Sequence, residues 1–441
     1  MKSFCCVASD RRGNIFEIPE LSMAAGSIGS FYEVDENSCI PLPESSVFFT
    51  LPGRAPVGYD TARRKFVTLR DYCGETVFAV AAFMPPGFLQ TFSSAYQELP
   101  GAPRLPLFSY TAVGWKNGRF FAAGYRIDRR TVHEIDDAWL PDIDARARAL
   151  RTRFSGNRLV SHLVNNCVLQ YRCPNACNLA LGRWECPVPV SRVCNAACVG
   201  CISRQPESSR IPSTQHRIDF TPTEEEIAEY VVPHLQKAVG PVASFGQGCE
   251  GEPLLSAGLI EESIKSIRTK TGRGIINMNT NASLPQAVER LCKAGLNSMR
   301  VSLNSAQPDC YDAYYRPQGY SFTDVRESIA IAKRHGAWVS LNYLVFPGFT
   351  DHPTEVRALE KLLRATRLDM IQTRNLNIDP AWYVDTLGLR RRLRGKPLGM
   401  LRWVERIRER FPYVKLGYFN PTQRTMARLL HLQNRTKSNP A

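Results

Sequence analysis

The sequence predicts an α/β fold: a partial (β/α)6 TIM-like barrel of parallel strands, with an irregular β-rich N-terminal region and a basic C-terminal extension. The main observation is that short apolar runs alternate with helical patterns from about Glu185 onward. Chains with this alternation form parallel sheets covered by helices. After an initial strand in residues 185–193, strands are predicted at residues 242–245, 274–278, 298–303, 337–344 and 370–373.

Helical periodicity fills the intervals between these strands. Thr223 and Glu226 form a pattern typical of a capping box, and Gly295 and Gly336 follow two of the predicted helix ends. Reactive groups in such folds collect at the carboxyl ends of the strands. The predicted helices are residues 223–238, 254–269, 284–294, 322–335 and 354–367.

The chain divides into three predicted regions. Residues 1–180 are rich in Pro, Gly and aromatic residues, with alternating runs at 46–51 and 119–125 and one helix near 142–154. This region carries no motif that indicates a function. Residues 181–385 form the predicted barrel, and residues 386–441 form the basic extension.

Most of the net charge of +15 lies at the C-terminal end. From Arg390 onward there are fourteen Lys or Arg residues and two Glu residues. A basic helix is predicted at 398–411 and a strand at 413–419. Basic residues beside aromatic ones can bind RNA, whereas a solvated helix face and core aromatics are the alternative. The aromatics concerned are Trp403, Phe411, Tyr413, Tyr418 and Phe419.

The chain has no run of about 18 apolar residues, the length that a membrane span needs, and its start lacks a basic region followed by an apolar one. We therefore expect a cytoplasmic protein that does not bind membranes. Its fourteen cysteines are then expected to be reduced thiols, some of them metal ligands, rather than disulfides.

Three cysteines follow the first predicted strand at close spacing: Cys194, Cys198 and Cys201. Zinc sites usually have four ligands in two pairs, and no second close pair follows on the C-terminal side. Clusters built for electron transfer usually have four cysteine ligands. Three close cysteines therefore favour an iron–sulfur cluster with one iron left open for chemistry, with zinc or buried thiols as the alternatives.

This pattern resembles the radical S-adenosylmethionine (SAM) superfamily, over residues from about 185 to 377. Gly251-Glu252-Pro253 is similar to the family's glutamate motif, Asn279-Thr280-Asn281 to its Thr-Asn-Gly strand end, and Val301-Ser302-Leu303-Asn304 to its Val-Ser-Leu-Asp run. Two positions differ: Gly200 stands where the family usually has an aromatic residue, and Glu250 replaces the first glycine of the glutamate motif.

The resemblance implies a function and two cofactors. The three cysteines would bind a [4Fe–4S] cluster, and SAM would be cleaved reductively to a 5′-deoxyadenosyl radical that modifies an unidentified substrate. A reductase such as ferredoxin or flavodoxin would supply the electron. The residues implied in SAM binding are Glu252, Thr280, Asn281, Ser302 and Asn304.

Two questions stay open at the level of sequence. An earlier cysteine set could hold an auxiliary cluster or zinc, or could pack as small apolar side chains; its members are Cys167, Cys173, Cys177 and Cys186. The chain could also be a non-catalytic iron–sulfur or zinc protein with a binding or redox role. Within the enzyme class, RNA modification competes with peptide or small-molecule modification.

Overall fold

The computed structural model describes residues 4–130, 140–420 and 426. It contains two large sheets of different kinds. Residues 4–130 form antiparallel strands, and a parallel sheet begins at Glu185. The predicted order of a β-rich region followed by a βα-repeat is therefore present.

The N-terminal strands pair mainly in one twelve-stranded antiparallel sheet, whose central path runs β13-β6-β2-β1-β14-β15-β4. Two small two-stranded sheets, β11-β16 and β8-β9, complete this part. The strands are β1 (Cys5–Ser9), β2 (Ile15–Ser27), β3 (Ser30–Glu33), β4 (Ile40–Pro41), β5 (Val47–Leu51), β6 (Arg54–Asp60), β7 (Lys65–Thr68), β8 (Asp71–Tyr72), β9 (Glu75–Thr76), β10 (Phe78–Phe83), β11 (Phe88–Gln90), β12 (Ser93–Ser94), β13 (Tyr96–Glu98), β14 (Val113–Lys116), β15 (Arg119–Ala122) and β16 (Gly124–Arg126).

Four helical segments lead from this sheet to the barrel: α1 (Leu140–Arg153), α2 (Arg158–His162), a π-helix (Leu163–Gln170) and α3 (Pro174–Ala180). The sequence predicted only the first of them. Their apolar side chains lie in the same hydrophobic core as those of the barrel. The predicted boundary at residue 180 stays a prediction, and we propose that the barrel unit already begins at α1.

The barrel sheet contains seven parallel strands in sequence order, β17 to β23. This confirms the predicted partial barrel and adds a seventh strand, which the basic extension supplies. The strands are β17 (Glu185–Val188), β18 (Val242–Phe245), β19 (Ile275–Thr280), β20 (Ser298–Leu303), β21 (Trp338–Val345), β22 (Met370–Asn375) and β23 (Lys415–Gly417).

Helices follow the strands, as the apolar periodicity predicts. Thr223 and Glu226 make the reciprocal capping box that starts α4, and Gly295 ends α6 with a φ of 116°. Residues 308–315 form a further helix that was not among the predicted ones. The helices are α4 (Glu224–Lys237), α5 (Ala257–Lys270), α6 (Pro285–Ala294), α7 (Pro308–Tyr315), α8 (Phe322–Arg334), α9 (Pro353–Thr366), α10 (Pro380–Leu387), α11 (Leu389–Arg392) and α12 (Met400–Arg410).

The small N-terminal sheet β11-β16 packs against the carboxyl end of β22. Asn375, at the end of that strand, accepts a hydrogen bond from the Gln90 amide at 2.8 Å and donates to the Phe88 carbonyl at 3.0 Å. A buried ion pair joins Arg54 to Asp379 at 2.8 Å. These N-terminal strands therefore lie beside the edge of the barrel where strand-end residues collect.

No helix in the described ranges is both long and apolar enough to cross a membrane.

Candidate functional site

The cysteine loop after β17 is held by the C-terminal end of α7. The amides of Ala197 and Val199 donate to the carbonyls of Tyr315 and Tyr314 at 2.9 and 3.0 Å, and the Gln318 amide donates to the Asn195 carbonyl at 2.8 Å. Backbone hydrogen bonds on both sides of Cys198 fix the path of the loop. The three thiols are thus presented by a preorganised backbone.

As whole residues, Cys194, Cys198 and Cys201 are partly exposed, and they form no disulfide. In the described residues, the sole set of three or more metal-ligating side chains with all ligand atoms within 4.8 Å of one another lies elsewhere. Sulfurs that share one tetrahedral zinc at about 2.3 Å would lie roughly 3.8 Å apart. In the described structure the three cysteines of the loop therefore do not form so compact a group.

The electrostatic surroundings keep two of these thiols protonated when no metal is bound. Burial, followed by the nearby Glu252 carboxylate, raises the pKa of Cys194 to about 11, and burial raises the pKa of Cys198 well above its usual value. Metal binding requires thiolates, so it would release these protons.

Arg217 adds a positive charge beside the cysteine loop. Its Nη2 lies 3.6 Å from Cys201 Sγ, and its Nε donates to Ser203 Oγ at 3.1 Å. Hydrogen bonds and positive charge at ligand sulfurs stabilise a reduced cluster. No sequence pattern indicates this contact, because Arg217 lies sixteen residues after Cys201 in an irregular loop.

The second half of the site is the carboxylate of Glu252, which follows β18. Its oxygens accept hydrogen bonds from the amides of Leu254 at 3.1 Å and Asn281 at 2.8 Å, and from the Thr280 hydroxyl. Burial raises the pKa of the Glu252 carboxyl to about 7. A buried carboxylate with no basic partner among these contacts suits a cationic ligand.

The Glu252 loop and the cysteine loop are in direct contact. The amides of Gly251 and Glu252 donate to the carbonyls of Ser191 and Val193 at 2.7 and 2.8 Å. Glu250, which differs from the family motif, accepts hydrogen bonds from the amides of Val190, Ser191 and Gln247. Glu250 therefore joins the two loops, and burial raises its pKa to about 8.

Gly251 is required by the closeness of these loops. A Cβ at this position would lie 1.9 Å from the Val193 carbonyl oxygen. We expect Gly251→Ala to reduce the free energy of unfolding by about 1–3 kcal/mol through overpacking. Gly258→Ala, in α5 with open space around it, should raise stability by about 0.5–1 kcal/mol. Urea unfolding of both variants tests this; equal stability of the two would contradict the tight contact.

The other predicted SAM residues fall into two groups. Thr280 and Asn281 lie at Glu252, and the Asn281 side chain donates to Asn195 Oδ1 at 2.8 Å, directly after the first cysteine. Ser302 is partly exposed on β20. Asn304 is fully buried, and its Nδ2 lies 3.1 Å from the Cys310 carbonyl and 3.3 Å from the Tyr383 hydroxyl. The geometry thus places Thr280 and Asn281 at the carboxylate, whereas Asn304 uses its Nδ2 in the core and has no hydrogen-bond partner for its buried Oδ1 among the described residues.

The glycine at position 200 has a local explanation. A Cβ there would lie 2.7 Å from the Tyr314 hydroxyl oxygen. The Tyr314 side chain, from α7, therefore fills the space that a larger residue in the cysteine loop would need.

The earlier cysteine set is dispersed among several elements. Cys167, Cys177 and Cys186 are buried and Cys173 is partly exposed. Cys167 lies next to Cys249 and His162 rather than in a compact group with the other three. A hydrogen bond from Cys249 lowers the pKa of the Cys167 thiol. The predicted four-cysteine auxiliary site stays a prediction.

Comparison with known proteins agrees with this geometry. Residues 188–359 match the family model described as the radical SAM superfamily. GTP 3′,8-cyclase from Aquifex aeolicus (strain VF5) is 31% identical over 179 residues, which are 39% of this chain and 52% of that protein. The enzyme of the same name from Alkaliphilus metalliredigens (strain QYMF) is 31% identical over 170 residues, 38% of this chain and 49% of that protein. The chain thus spans about half the length of these curated relatives.

Solved structures resemble the chain only weakly. Methylornithine synthase has a TM-score of 0.37 at 14% identity and covers 65% of this chain and 72% of its own. Streptococcus suis SuiB bound to S-adenosylmethionine has a TM-score of 0.36 at 13% identity and covers 65% and 67%. At such scores the likeness supports no inference.

The matched span contains the three cysteines, Glu252 and the strand ends around them. The radical SAM family uses a [4Fe–4S] cluster together with SAM. Over residues 188–359 the chain is therefore similar to the radical SAM superfamily.

Proposed function

We propose that the protein is a radical SAM enzyme in which Cys194, Cys198 and Cys201 bind three irons of a [4Fe–4S] cluster. The observation that carries this proposal is the placement of three unpaired thiols beside a buried carboxylate, with the charge of Glu252 close enough to raise the pKa of Cys194. When bound, the cluster and SAM together supply reductive cleavage to a 5′-deoxyadenosyl radical. An electron donor such as ferredoxin or flavodoxin would deliver the electron.

The chain's own residues bind and orient the cofactors in this proposal. Glu252 receives the amino group of SAM through a charge-assisted hydrogen bond, and the Thr280 hydroxyl and Asn281 amide hold its carboxylate in place. Arg217 balances the negative charge of the cluster ligands. Ser302 and Asn304 keep their predicted role as SAM contacts, although Asn304 would have to become accessible.

Release of 5′-deoxyadenosine tests the proposal. Anaerobically reconstituted, reduced protein is expected to form this product from SAM. Iron-loaded protein that never cleaves SAM would instead favour a non-catalytic redox role, and zinc-loaded, iron-free protein would favour a structural metal site.

Two arginines on one face of the barrel sheet indicate an anionic substrate, if the protein is an enzyme. Arg300 on β20 and Arg374 on β22 both donate to Gln372 Oε1, at 3.0 and 3.2 Å. Arg300 Nε and Arg374 Nη1 are buried and have no hydrogen-bond partner among the described residues. Alternate residues of a strand share a face of the sheet. These arginines are therefore on the other face of the sheet from Val301 and Ile371, which pack in the main core.

We propose that these guanidinium groups bind a phosphate or carboxylate group of a small substrate. GTP is the first probe, since it appears in the name of the curated relatives. We expect saturable GTP binding by calorimetry, weakened about 10-fold, or roughly 1.4 kcal/mol, in Arg300→Gln and Arg374→Gln. Unchanged binding in both variants would contradict the role of the arginines, and absence of binding to the unaltered protein would exclude GTP.

RNA modification remains the alternative substrate class. Trp403 and Phe411 are buried in the main core, and Arg367 and Arg374 lie over the rings of Tyr413 and Tyr418. These aromatic rings are therefore engaged within the protein rather than free for base stacking. Salt-sensitive RNA retention that is lost on deleting residues 391–441 would support the alternative.

A further inference from the structure

A second group of metal-ligating side chains lies behind the Glu252 loop. It consists of His162 at the end of α2, Cys167 in the π-helix and Cys249 in the loop after β18, which we call the His–Cys–Cys group. All three residues are buried, and one ligand atom from each lies within 4.8 Å of the others. π-Helical turns are rare and occur frequently at functional sites.

One ring nitrogen of the histidine lacks a hydrogen-bond partner in the part of the chain that the structure describes. His162 is 8% exposed, and its Nδ1 lies 3.1 Å from Nδ2 of Asn166. Its Nε2 is buried without a hydrogen-bond partner among the described residues. Leaving such a buried group without a hydrogen bond is unfavourable, so a ligand that binds Nε2 would remove this cost.

Asn166 can orient the imidazole for metal binding. With its carboxamide turned by 180°, Oδ1 accepts a hydrogen bond from Nδ1–H of His162. The lone pair of Nε2 is then available to a metal. Metal-ligating histidines commonly have such an oxygen at their other ring nitrogen.

We propose that His162, Cys167 and Cys249 bind one Zn²⁺ ion, at a site separate from the cluster cysteines. Thiolate sulfur and imidazole nitrogen are the ligands typical of zinc. Two sulfurs bound to one zinc at about 2.3 Å lie roughly 3.8 Å apart, which agrees with the compact group. Both sulfurs bind as thiolates, so binding releases to solvent any thiol proton that they still carry, and water can take the fourth position.

The position of Cys249 gives the metal a structural role. Cys249 directly precedes Glu250, whose carboxylate holds the amides of Val190 and Ser191. A zinc ion bound here would connect the π-helix to the loop that carries Glu252. The site would therefore hold the SAM-binding carboxylate in place without contacting the substrate.

Metal analysis of the full-length protein tests the proposal. We expect about one zinc per chain, retained when Cys194, Cys198 and Cys201 are all replaced by alanine and iron is lost. Cys167→Ser and Cys249→Ser should lose the zinc, whereas Cys177→Ser, which alters a buried cysteine outside the group, should keep it. Cobalt in place of zinc should give a near-ultraviolet thiolate–cobalt absorption band.

A second variant, Asn166→Leu, keeps all three ligands. It therefore tests the site even where the serine variants fail to fold. It should weaken zinc affinity about 10- to 100-fold, measured by competition with a chelator, with an unchanged circular dichroism spectrum. Unchanged affinity would overturn the role of Asn166 in orienting the imidazole. Protein that binds no added zinc, zinc retained in both serine variants, or a Cys167–Cys249 disulfide in protein kept reduced would overturn the site.

Discussion

Cys194→Ala is expected to abolish release of 5′-deoxyadenosine and to lower the iron content of the reconstituted protein. In the variant only two thiolates remain to hold the cubane, so one more of its irons has no protein ligand. The backbone hydrogen bonds of the loop do not replace the missing thiolate. Iron analysis and chromatographic detection of 5′-deoxyadenosine measure the two effects. We expect the same result for Cys198→Ala and Cys201→Ala.

Cys292→Ser is the matched control, because Cys292 is a partly exposed thiol of α6 outside the site. It should keep both iron and SAM cleavage. Full activity in any of the three alanine variants would mean that the triplet does not hold the catalytic cluster.

Glu252→Gln should weaken SAM binding by about 2 kcal/mol, roughly 30-fold, since a charge-assisted hydrogen bond becomes a neutral one. The cluster should remain, because Glu252 is not a thiolate ligand. Equilibrium binding of SAM to the reconstituted protein measures the change. Glu262→Gln, at an exposed position of α5, should bind SAM normally.

The same carboxylate predicts a pH dependence. Burial raises the pKa of Glu252 to about 7, so the carboxyl loses its proton as the pH rises through 7. SAM affinity should therefore increase between pH 6 and pH 8 in the unaltered protein and change much less in Glu252→Gln. If SAM affinity changed with pH in the same way in the unaltered protein and in Glu252→Gln, a group other than Glu252 would be responsible for the change.

Sequence periodicity was sufficient to predict the barrel, because each βα-unit is formed by residues that are close together in the sequence. The strands predicted at residues 242–245 and 298–303 have the same bounds in the structure. The seventh strand, Lys415–Gly417, lies within the strand predicted at 413–419, but no sequence pattern assigned it to the barrel sheet. The N-terminal sheet was predictable only as β-rich, because its pairing joins strands distant in sequence, such as β2 and β12.

The site was predictable where its residues follow strand ends at short spacing. Glu252, Thr280 and Asn281 come together as their motifs imply. Contacts that depend on tertiary packing were missed: Arg217 at Cys201, Tyr314 against Gly200, and the pairing of Cys167 with Cys249. No local pattern connects residues that lie 82 positions apart, as the last pair does.

The most direct test of the central claim is the electron paramagnetic resonance spectrum of the reduced protein, recorded with and without SAM. Three cysteine ligands leave one iron open, so SAM should bind that iron and change the g-values of the cluster signal. The same change should be absent or much reduced in Glu252→Gln at an equal SAM concentration. A cluster signal that saturating SAM leaves unaltered in the native protein would contradict an open iron beside Glu252.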